Sequence, residues 1–218
     1  MNFINRFKKF GGEFIPDIVE YLKDYIQTHP RVTISVGCDS VQRRRTTLYA
    51  ITIMLHNQDL KNGAHVVFFR NNITKVRDNF ERLHKEAQFV LDIGDFLQKE
   101  LEPFYTRQDL NDIERRRYKY HVGKCNGEYD HISHFEEEDF YSKMFLTEHE
   151  KSVEFKLVDL HVDFNPKEGL TDKKGIAKNK SFMTYKSYVP WLRGLGYRVW
   201  SKPNSVAATS AADLLLQD

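Results

Sequence analysis

Residues 32–40 alternate between apolar and small side chains. This pattern predicts the strand around which the other elements of the chain are arranged. The apolar positions are Val32, Ile34 and Val36, and the small ones are Thr33, Ser35 and Gly37. A period of two is typical of a β-strand. Small side chains on one face let another element pack close to the backbone. Asp39 continues the small face, where an acidic residue either meets water at the strand end or lines a site. We favour a site.

The apolar periodicity divides the rest of the chain into helices and strands. We predict helices at residues 16–28, 74–101, 175–194 and 205–216, and strands at residues 32–39, 46–56, 65–70, 153–164 and 197–200. Pro190 is expected to interrupt the third helix, and Ser205 to cap the fourth. Short turns between three consecutive strands predict an antiparallel meander. The helices and strands that follow predict a mixed sheet flanked by helices.

Residues 102–152 differ from the rest of the chain in charge and periodicity. A basic run at residues 115–119 and an acidic run at residues 136–139 accompany a weak helical pattern. We predict an insertion, partly helical and outside the core. The 218 residues then form a single domain, 1–218, with an N-terminal helix at 16–28.

Charge and cysteine content exclude few classes of protein. The 33 Lys and Arg residues nearly balance 31 Asp and Glu residues, so nucleic-acid binding has to be inferred from local clusters. Cys38 and Cys125 lie far apart without metal-ligand spacing, which indicates reduced thiols in an intracellular, cytoplasmic protein. No apolar run approaches membrane-spanning length, and residues 1–10 lack the apolar core of a signal peptide. We therefore expect no membrane partner.

Four acidic residues stand at the ends or edges of predicted elements: Asp39, Glu86, Asp163 and Asp213. Carboxylate oxygens are ligands that Mg²⁺ and Mn²⁺ prefer. Two such ions roughly 4 Å apart can activate a water and stabilise the leaving oxygen of a phosphodiester. Carboxylates at strand ends are also commonly just solvated. Asp213 argues most strongly for a site, because it follows Ala-Ala-Thr-Ser-Ala-Ala in an otherwise small and apolar helix.

Three short motifs occur in order on the predicted elements. They are Val-Gly-Cys-Asp-Ser at 36–40, His-Val-Asp-Phe-Asn at 161–165, and Lys202-Pro203 through Ala207-Ala208 to Ala212-Asp213. With the order of elements, they resemble the ribonuclease H-like superfamily. More narrowly, they resemble its YkuK-type ribonuclease H-like family. The resemblance covers most of residues 16–101 and 153–216.

The resemblance implies an α/β fold with a mixed five-stranded sheet, its first three strands antiparallel, flanked by helices. It also implies that Asp39, Glu86, Asp163 and Asp213 hold two Mg²⁺ or Mn²⁺ ions and hydrolyse a phosphodiester bond. Glu81 is a rival of Glu86, although Glu81 lies on the more polar helix face. The alternative function is a member of this fold that binds nucleic acid or acts as a scaffold without turnover.

Three residues beside the carboxylates are predicted to support the site. Ser40 directly follows Asp39, His161 points to the same face as Asp163, and Asn165 stands two residues beyond Asp163. His161 either orients a ligand or shuttles a proton, or it is a structural histidine beneath the site. Asn165 either contacts the substrate or makes the turn.

Basic residues supply the predicted contacts to a nucleic acid. They are Arg43, Arg44, Arg45, Lys202, Arg115, Arg116 and Arg117. Tyr118 and Tyr120 beside the last three are suited to stacking on single-stranded bases. The alternative is that these basic residues are solvated by water and contact no nucleic acid. The predicted partner is DNA, RNA or a hybrid, and neither this choice nor the oligomeric state follows from the sequence.

Overall fold

The computed structural model describes residues 3–29, 32–57, 64–105, 156–167, 180–202 and 204–216. The chain divides into one unit of Met1–Phe104 with Lys156–Asp218 and a second of Tyr105–Phe155. The helices and strands of the described residues all belong to the first unit. The predicted insertion lies outside the described residues, apart from a short 3-10 helix, Glu102–Phe104, and Tyr105. Its three arginines, Arg115, Arg116 and Arg117, also lie outside them.

Among the described residues, six strands form one mixed sheet in the order β1-β4-β3-β2-β5-β6. They are β1 Lys8–Lys9, β2 Val32–Gln42, β3 Thr46–Asn57, β4 His65–Thr74, β5 Val158–Val162 and β6 Arg198–Trp200. The middle strands β2, β3 and β4 are antiparallel, whereas β5 runs parallel to β2, and β6 parallel to β5. The predicted α/β class, the antiparallel meander and the mixed sheet are confirmed.

The strand β1 corrects the prediction of five strands. Its two residues pair with Phe68 and Val67 along the edge of β4. Next to it, the buried Phe7 packs edge-on against Phe69, with ring centroids 4.9 Å apart. Two residues are too short a stretch to display a period of two, so no sequence pattern indicated this strand.

The helices of the described ranges are α1 Ile18–Thr28, α2 Asn79–Leu101, α3 Lys180–Gly194 and the π-helix Ala207–Ala212. Both α1 and α2 begin later than predicted. The carboxylates of Asp17 and Asp78 accept hydrogen bonds from the first free backbone N–H groups of these helices and set their start. No helix among the described residues is long and apolar enough to cross a membrane.

Two further predictions about the elements need correction. The helix α3 continues through Pro190, which is exposed, so water can replace the hydrogen bond that proline cannot donate. The strand β5 begins at Val158, five residues later than predicted, and residues 153–155 lie outside the described ranges.

The small face of β2 is covered by the π-helix, as its residue pattern predicted. A Cβ atom built on Gly37 would lie 2.4 Å from the carbonyl carbon of Ala207, so only glycine permits this approach. The predicted cap by Ser205 is wrong, because its hydroxyl lies 2.7 Å from the hydroxyl of Thr209 and no side chain of the described residues caps the π-helix. The backbone of the last helix thus lies directly on the central strand.

Candidate functional site

Asp39 and Asp163 lie at the same level of two neighbouring parallel strands. The register pairs Gly37 with His161 and Cys38 with Val162, so the two aspartates come next on β2 and just after β5. Adjacent strands are about 4.8 Å apart. Burial, and after it the negative charge of Asp163, raises the pKa of Asp39 to about 6. The register therefore places these two residues on adjacent strands, close enough for the charge of Asp163 to act on Asp39.

Glu86 projects from α2 toward the same place. Its side chain is buried, with 2% exposed, and its Oε1 atom accepts a 2.5 Å hydrogen bond from the Ser40 hydroxyl. Burial, followed by the charge of Asp39, raises the pKa of Glu86 to about 8. Glu81 instead is exposed and pairs with Lys85 at 3.6 Å. Glu86 is thus the glutamate that lies near Asp39.

Arg82 holds Glu86 and Ser40 together. Its Nη1 atom donates to the Ser40 carbonyl at 2.8 Å and to the Ser40 hydroxyl at 2.7 Å, and it lies 3.4 Å from Oε1 of Glu86. Arg82 is not among the site residues predicted from the sequence. Its position four residues before Glu86, one helical turn away, is the signal that would have found it. One oxygen of Glu86 is therefore fully engaged by neighbours on α2 and β2.

The other oxygen of Glu86, Oε2, is buried, and no described residue forms a hydrogen bond with it. A buried carboxyl oxygen without a partner is costly, whether the group is charged or neutral. The negative charge of Asp39 is close enough to raise the pKa of Glu86. A cation between the two carboxylates would both give Oε2 a partner and relieve their repulsion.

Asp163 is engaged by two other side chains. The Lys202 ammonium lies 2.9 Å from its Oδ2 atom, and the Thr209 hydroxyl donates to Oδ1 at 3.0 Å. Lys202, which was predicted to contact a nucleic acid, thus lies against a carboxylate of the candidate site. The ion pair shows that positive charge is accommodated at Asp163.

Asp213 directly follows the π-helix and is exposed. Its negative charge is a further cause of the raised pKa of Asp39, weaker than the charge of Asp163. The last helix therefore brings Asp213 within electrostatic range of the carboxylate at the end of the central strand, although the two residues are far apart in sequence.

The donor chemistry of these four carboxylates fits a hard divalent cation such as Mg²⁺ or Mn²⁺. Within the described ranges, however, no three His, Cys, Asp or Glu side chains are arranged to hold a metal ion. Oxygens of Asp163 and Glu86 are instead held by Lys202 and by Ser40 with Arg82. The carboxylates are close enough to raise the pKa values of Asp39 and Glu86. Their side chains do not, however, surround a common metal position.

His161 lies beneath the site and binds the backbone of the last helix. Its ring is buried, and its Nδ1 atom accepts a hydrogen bond from the Ala207 N–H at 3.2 Å. Burial lowers the pKa of His161 to about 4. The ring is therefore neutral at pH 7 with its proton on Nε2, which favours the structural role over a proton shuttle.

Asn165 makes a turn in this structure. Its side-chain oxygen accepts a hydrogen bond from the Lys167 N–H at 2.9 Å, and its own N–H donates to the Ser181 hydroxyl at 2.8 Å. Of the two roles considered for Asn165, the contacts show the turn.

A cationic edge lies at the tip of the β2–β3 hairpin. Arg43, Arg44 and Arg45 are all exposed there. The N–H of Lys75 donates to the Arg45 carbonyl at 3.2 Å, which places the exposed Lys75 and Arg77 beside the hairpin. Lys75 and Arg77 were not predicted from the sequence, because it is the pairing of β3 with β4 that brings them to the hairpin across 30 residues of chain.

Comparison with curated proteins and with solved structures finds no match. A family model does match. The model is described as ribonuclease H-like and covers residues 14–123, just over half of the 218 residues. The match includes β2 with Asp39 and α2 with Glu86, and it agrees with the mixed sheet flanked by helices. The chain belongs to the ribonuclease H-like family.

Proposed function

We propose that this protein is a nuclease that hydrolyses phosphodiester bonds of a nucleic acid with the help of two Mg²⁺ or Mn²⁺ ions. Within the ribonuclease H-like family, we place it in the YkuK-type group on the three motifs around Asp39, Asp163 and Asp213. Membership of the family supports a nucleic-acid-related function. The divalent ions and the catalysis are the part that this proposal adds.

The state of Glu86 is the observation that carries the proposal. A fully buried carboxyl with one unpartnered oxygen lies beside another carboxylate, and both have raised pKa values. Such an arrangement destabilises a protein that has no use for it. Structural carboxylates are normally paired or fully hydrogen-bonded. Groups with perturbed pKa values in a polar cluster are candidates for function.

Each acidic residue has a proposed role. Asp39 and Asp163 are the central ligands, and Glu86 and Asp213 complete the two ion sites. When bound, the ions would supply an activated water and stabilise the charge on the leaving oxygen. The chain itself orients Glu86 through Ser40 and Arg82, as their hydrogen bonds indicate.

Lys202 is proposed to exchange partners during binding. In the structure its ammonium neutralises Asp163. A divalent ion at Asp163 would take over that neutralisation, and the lysine, whose side chain is 41% exposed, would be released toward a phosphate.

The cationic edge of Arg43, Arg44, Arg45, Lys75 and Arg77 is proposed to hold the phosphates of the substrate. Arginine and lysine contacts to phosphates position a nucleic acid without selecting its sequence. DNA, RNA and a hybrid all present these phosphates, so the edge accepts each of them.

A cleavage assay tests the proposal. Labelled DNA, RNA, hybrid and branched substrates are incubated with the protein in Mg²⁺, in Mn²⁺ and in EDTA. We expect cleavage of at least one substrate with either ion, none in EDTA, and loss of cleavage in Asp39→Asn and Asp163→Asn. The control is Asp24→Asn, which changes an exposed carboxylate on α1. Cleavage that persists in EDTA or in both site variants contradicts the proposal.

The ion pair between Lys202 and Asp163 favours a second candidate function. A permanent ammonium at a ligand position would leave a protein that binds nucleic acid through its cationic edge and does not cleave it. Binding without cleavage, by the parent and by Lys202→Met alike, would support this second function.

A further inference from the structure

One row of residues runs across three neighbouring strands under the last helix. Thr52 of β3 pairs with Gly37 of β2, and Gly37 pairs with His161 of β5. Residues at one level of a sheet point to the same face. Thr52 and His161 are buried, and Ala207 at the beginning of the π-helix lies against them.

All three members of the row contact the backbone of Ala207. The Thr52 hydroxyl donates to the Ala207 carbonyl at 2.8 Å, and the Ala207 N–H donates to His161 Nδ1 at 3.2 Å. Between them, a Cβ on Gly37 would lie 2.6 Å from the Ala207 oxygen, so the glycine provides the space. Both polar backbone groups of a buried residue are thus bound by side chains from two different strands.

The same strands carry two of the site's carboxylates. Asp39 lies two residues beyond Gly37, and Asp163 lies two residues beyond His161. With a period of two they share the face of the row, roughly 7 Å further along the strands. Asp213 stands at the other end of the helix that begins at Ala207. The position of Ala207 on the sheet therefore sets the distance from Asp213 to the other two.

We propose that Thr52, Gly37 and His161 are positioning residues that clamp Ala207 and thereby hold Asp213 in place relative to Asp39 and Asp163. This inference rests on the proposed function, since it concerns the same carboxylates. None of the three clamp residues touches the reacting atoms. They act through the backbone of the last helix, and their effect is a correctly placed fourth ligand.

The first test uses paired substitutions at Thr52. Thr52→Val removes the hydroxyl and keeps the shape, whereas Thr52→Ser keeps the hydroxyl. The matched control is Thr47→Val, on the opposite face of the same strand, which removes a 2.9 Å hydrogen bond from the Val76 N–H. Mn²⁺ affinity is measured by calorimetry, and amide exchange is followed in residues 207–216. We expect Thr52→Val to weaken Mn²⁺ binding about tenfold, as changes beside ligands do, and to speed exchange there.

The second test uses His161 and the coupling to Asp213. His161→Leu removes the acceptor of the Ala207 N–H, whereas His161→Asn places its side-chain oxygen near the position of Nδ1 and should restore part of the affinity. In a double-mutant cycle, Asp213→Asn should weaken Mn²⁺ binding less in the Thr52→Val background than in the parent. The reason is that a displaced Asp213 has already lost most of its contribution.

The outcomes separate this inference from the proposed function. If the parent binds Mn²⁺ but Thr52→Val and His161→Leu bind it equally well, the clamp is wrong and the metal site stands. Equal losses in Thr47→Val and Thr52→Val, or additive effects in the cycle, also overturn the clamp, because they indicate general destabilisation. If the parent does not bind Mn²⁺, the proposed function fails and the clamp's role fails with it. Amide exchange then still reports whether Thr52 holds the helix.

Discussion

Lys202 and Asp163 form an ion pair in which the ammonium nitrogen lies 2.9 Å from Oδ2. A divalent cation at Asp163 would have to compete with this ammonium. We therefore expect Lys202→Met to bind Mn²⁺ more tightly than the parent. Because Lys202 is 41% exposed, the pair stabilises by at most about 1 kcal/mol, so the gain should stay within about tenfold. Calorimetric titration measures it, and weaker Mn²⁺ binding by the variant would contradict the competition.

The pH dependence of stability should report the protonation of Glu86. Its pKa is about 8 in the folded protein and 4.5 for an ordinary glutamate. A raised folded pKa means that the folded state binds the proton more tightly, so this contribution to stability is complete below pH 4.5 and is lost as the pH rises toward 8. In EDTA, the free energy of unfolding should fall with rising pH by up to about 1.4 kcal/mol per pH unit, the slope for one proton.

Urea unfolding at pH 5, 6, 7 and 8 measures that slope in the parent and in Glu86→Gln. The variant cannot ionise at this position, so its curve should be flatter above pH 6. Below pH 6 both proteins should still lose stability with rising pH, because the pKa of Asp39 is also raised, to about 6. Parallel curves over the whole range would show that Glu86 is ionised in the folded, metal-free protein.

Asp39→Asn should affect stability in opposite directions with and without metal. In EDTA the variant should be as stable as the parent or more stable, because it removes a charge from a repelling cluster. With Mn²⁺ at a hundredfold excess over its dissociation constant, the parent should gain about 2.7 kcal/mol. The variant should lose most of that gain. Thermal melts of both proteins in EDTA and in Mn²⁺ decide this, and a destabilised variant with an intact Mn²⁺ shift would make Asp39 a structural acceptor.

The cationic edge should determine how nucleic-acid binding depends on salt. Replacing Arg44 and Arg45 with alanine should weaken binding and reduce the slope of log K against log salt by about 2, or about 0.9 per lost phosphate contact on a duplex. The control replaces Lys99 and Lys186, which are exposed elsewhere on the first unit. Fluorescence anisotropy between 50 and 200 mM salt, the range in which such contacts dominate, measures both. If the two variants give equal slopes, Arg44 and Arg45 face solvent and do not contact the phosphates.

The sequence was informative wherever a short period reports burial directly. The small face of β2 predicted the close packing that Gly37 permits, and the alternation on β2 placed Asp39 on that face. The helical stripe of α2 distinguished the buried Glu86 from the exposed Glu81. That the four carboxylates hold metal ions stays a prediction, although charges of Asp163 and Asp213 do reach Asp39.

The sequence was uninformative where long side chains or unusual backbone geometry decide the structure. Lys202 was predicted from its place before the last helix to contact a nucleic acid, but its ion pair with Asp163 depends on tertiary contacts. The helix predicted at residues 205–216 assumed an α-helical period, but residues 207–212 form a more widely wound π-helix, and the apolar Val206 and Leu214 that flank it are 48% and 56% exposed. The predictions failed there because the period assumed was not the one that the backbone adopts.

The two-residue strand β1 has a consequence for solubility. The strand β4 has ten residues, and β1 covers only Val67 and Phe68 with two lysines, Lys8 and Lys9. Charged, very short edge strands discourage other chains from adding to a sheet. Without them, an unpaired edge beside Phe69 would invite strand-by-strand association of separate molecules. We therefore expect the lysine pair to discourage intermolecular β-pairing at Val67 and Phe68, the part of the β4 edge that β1 covers.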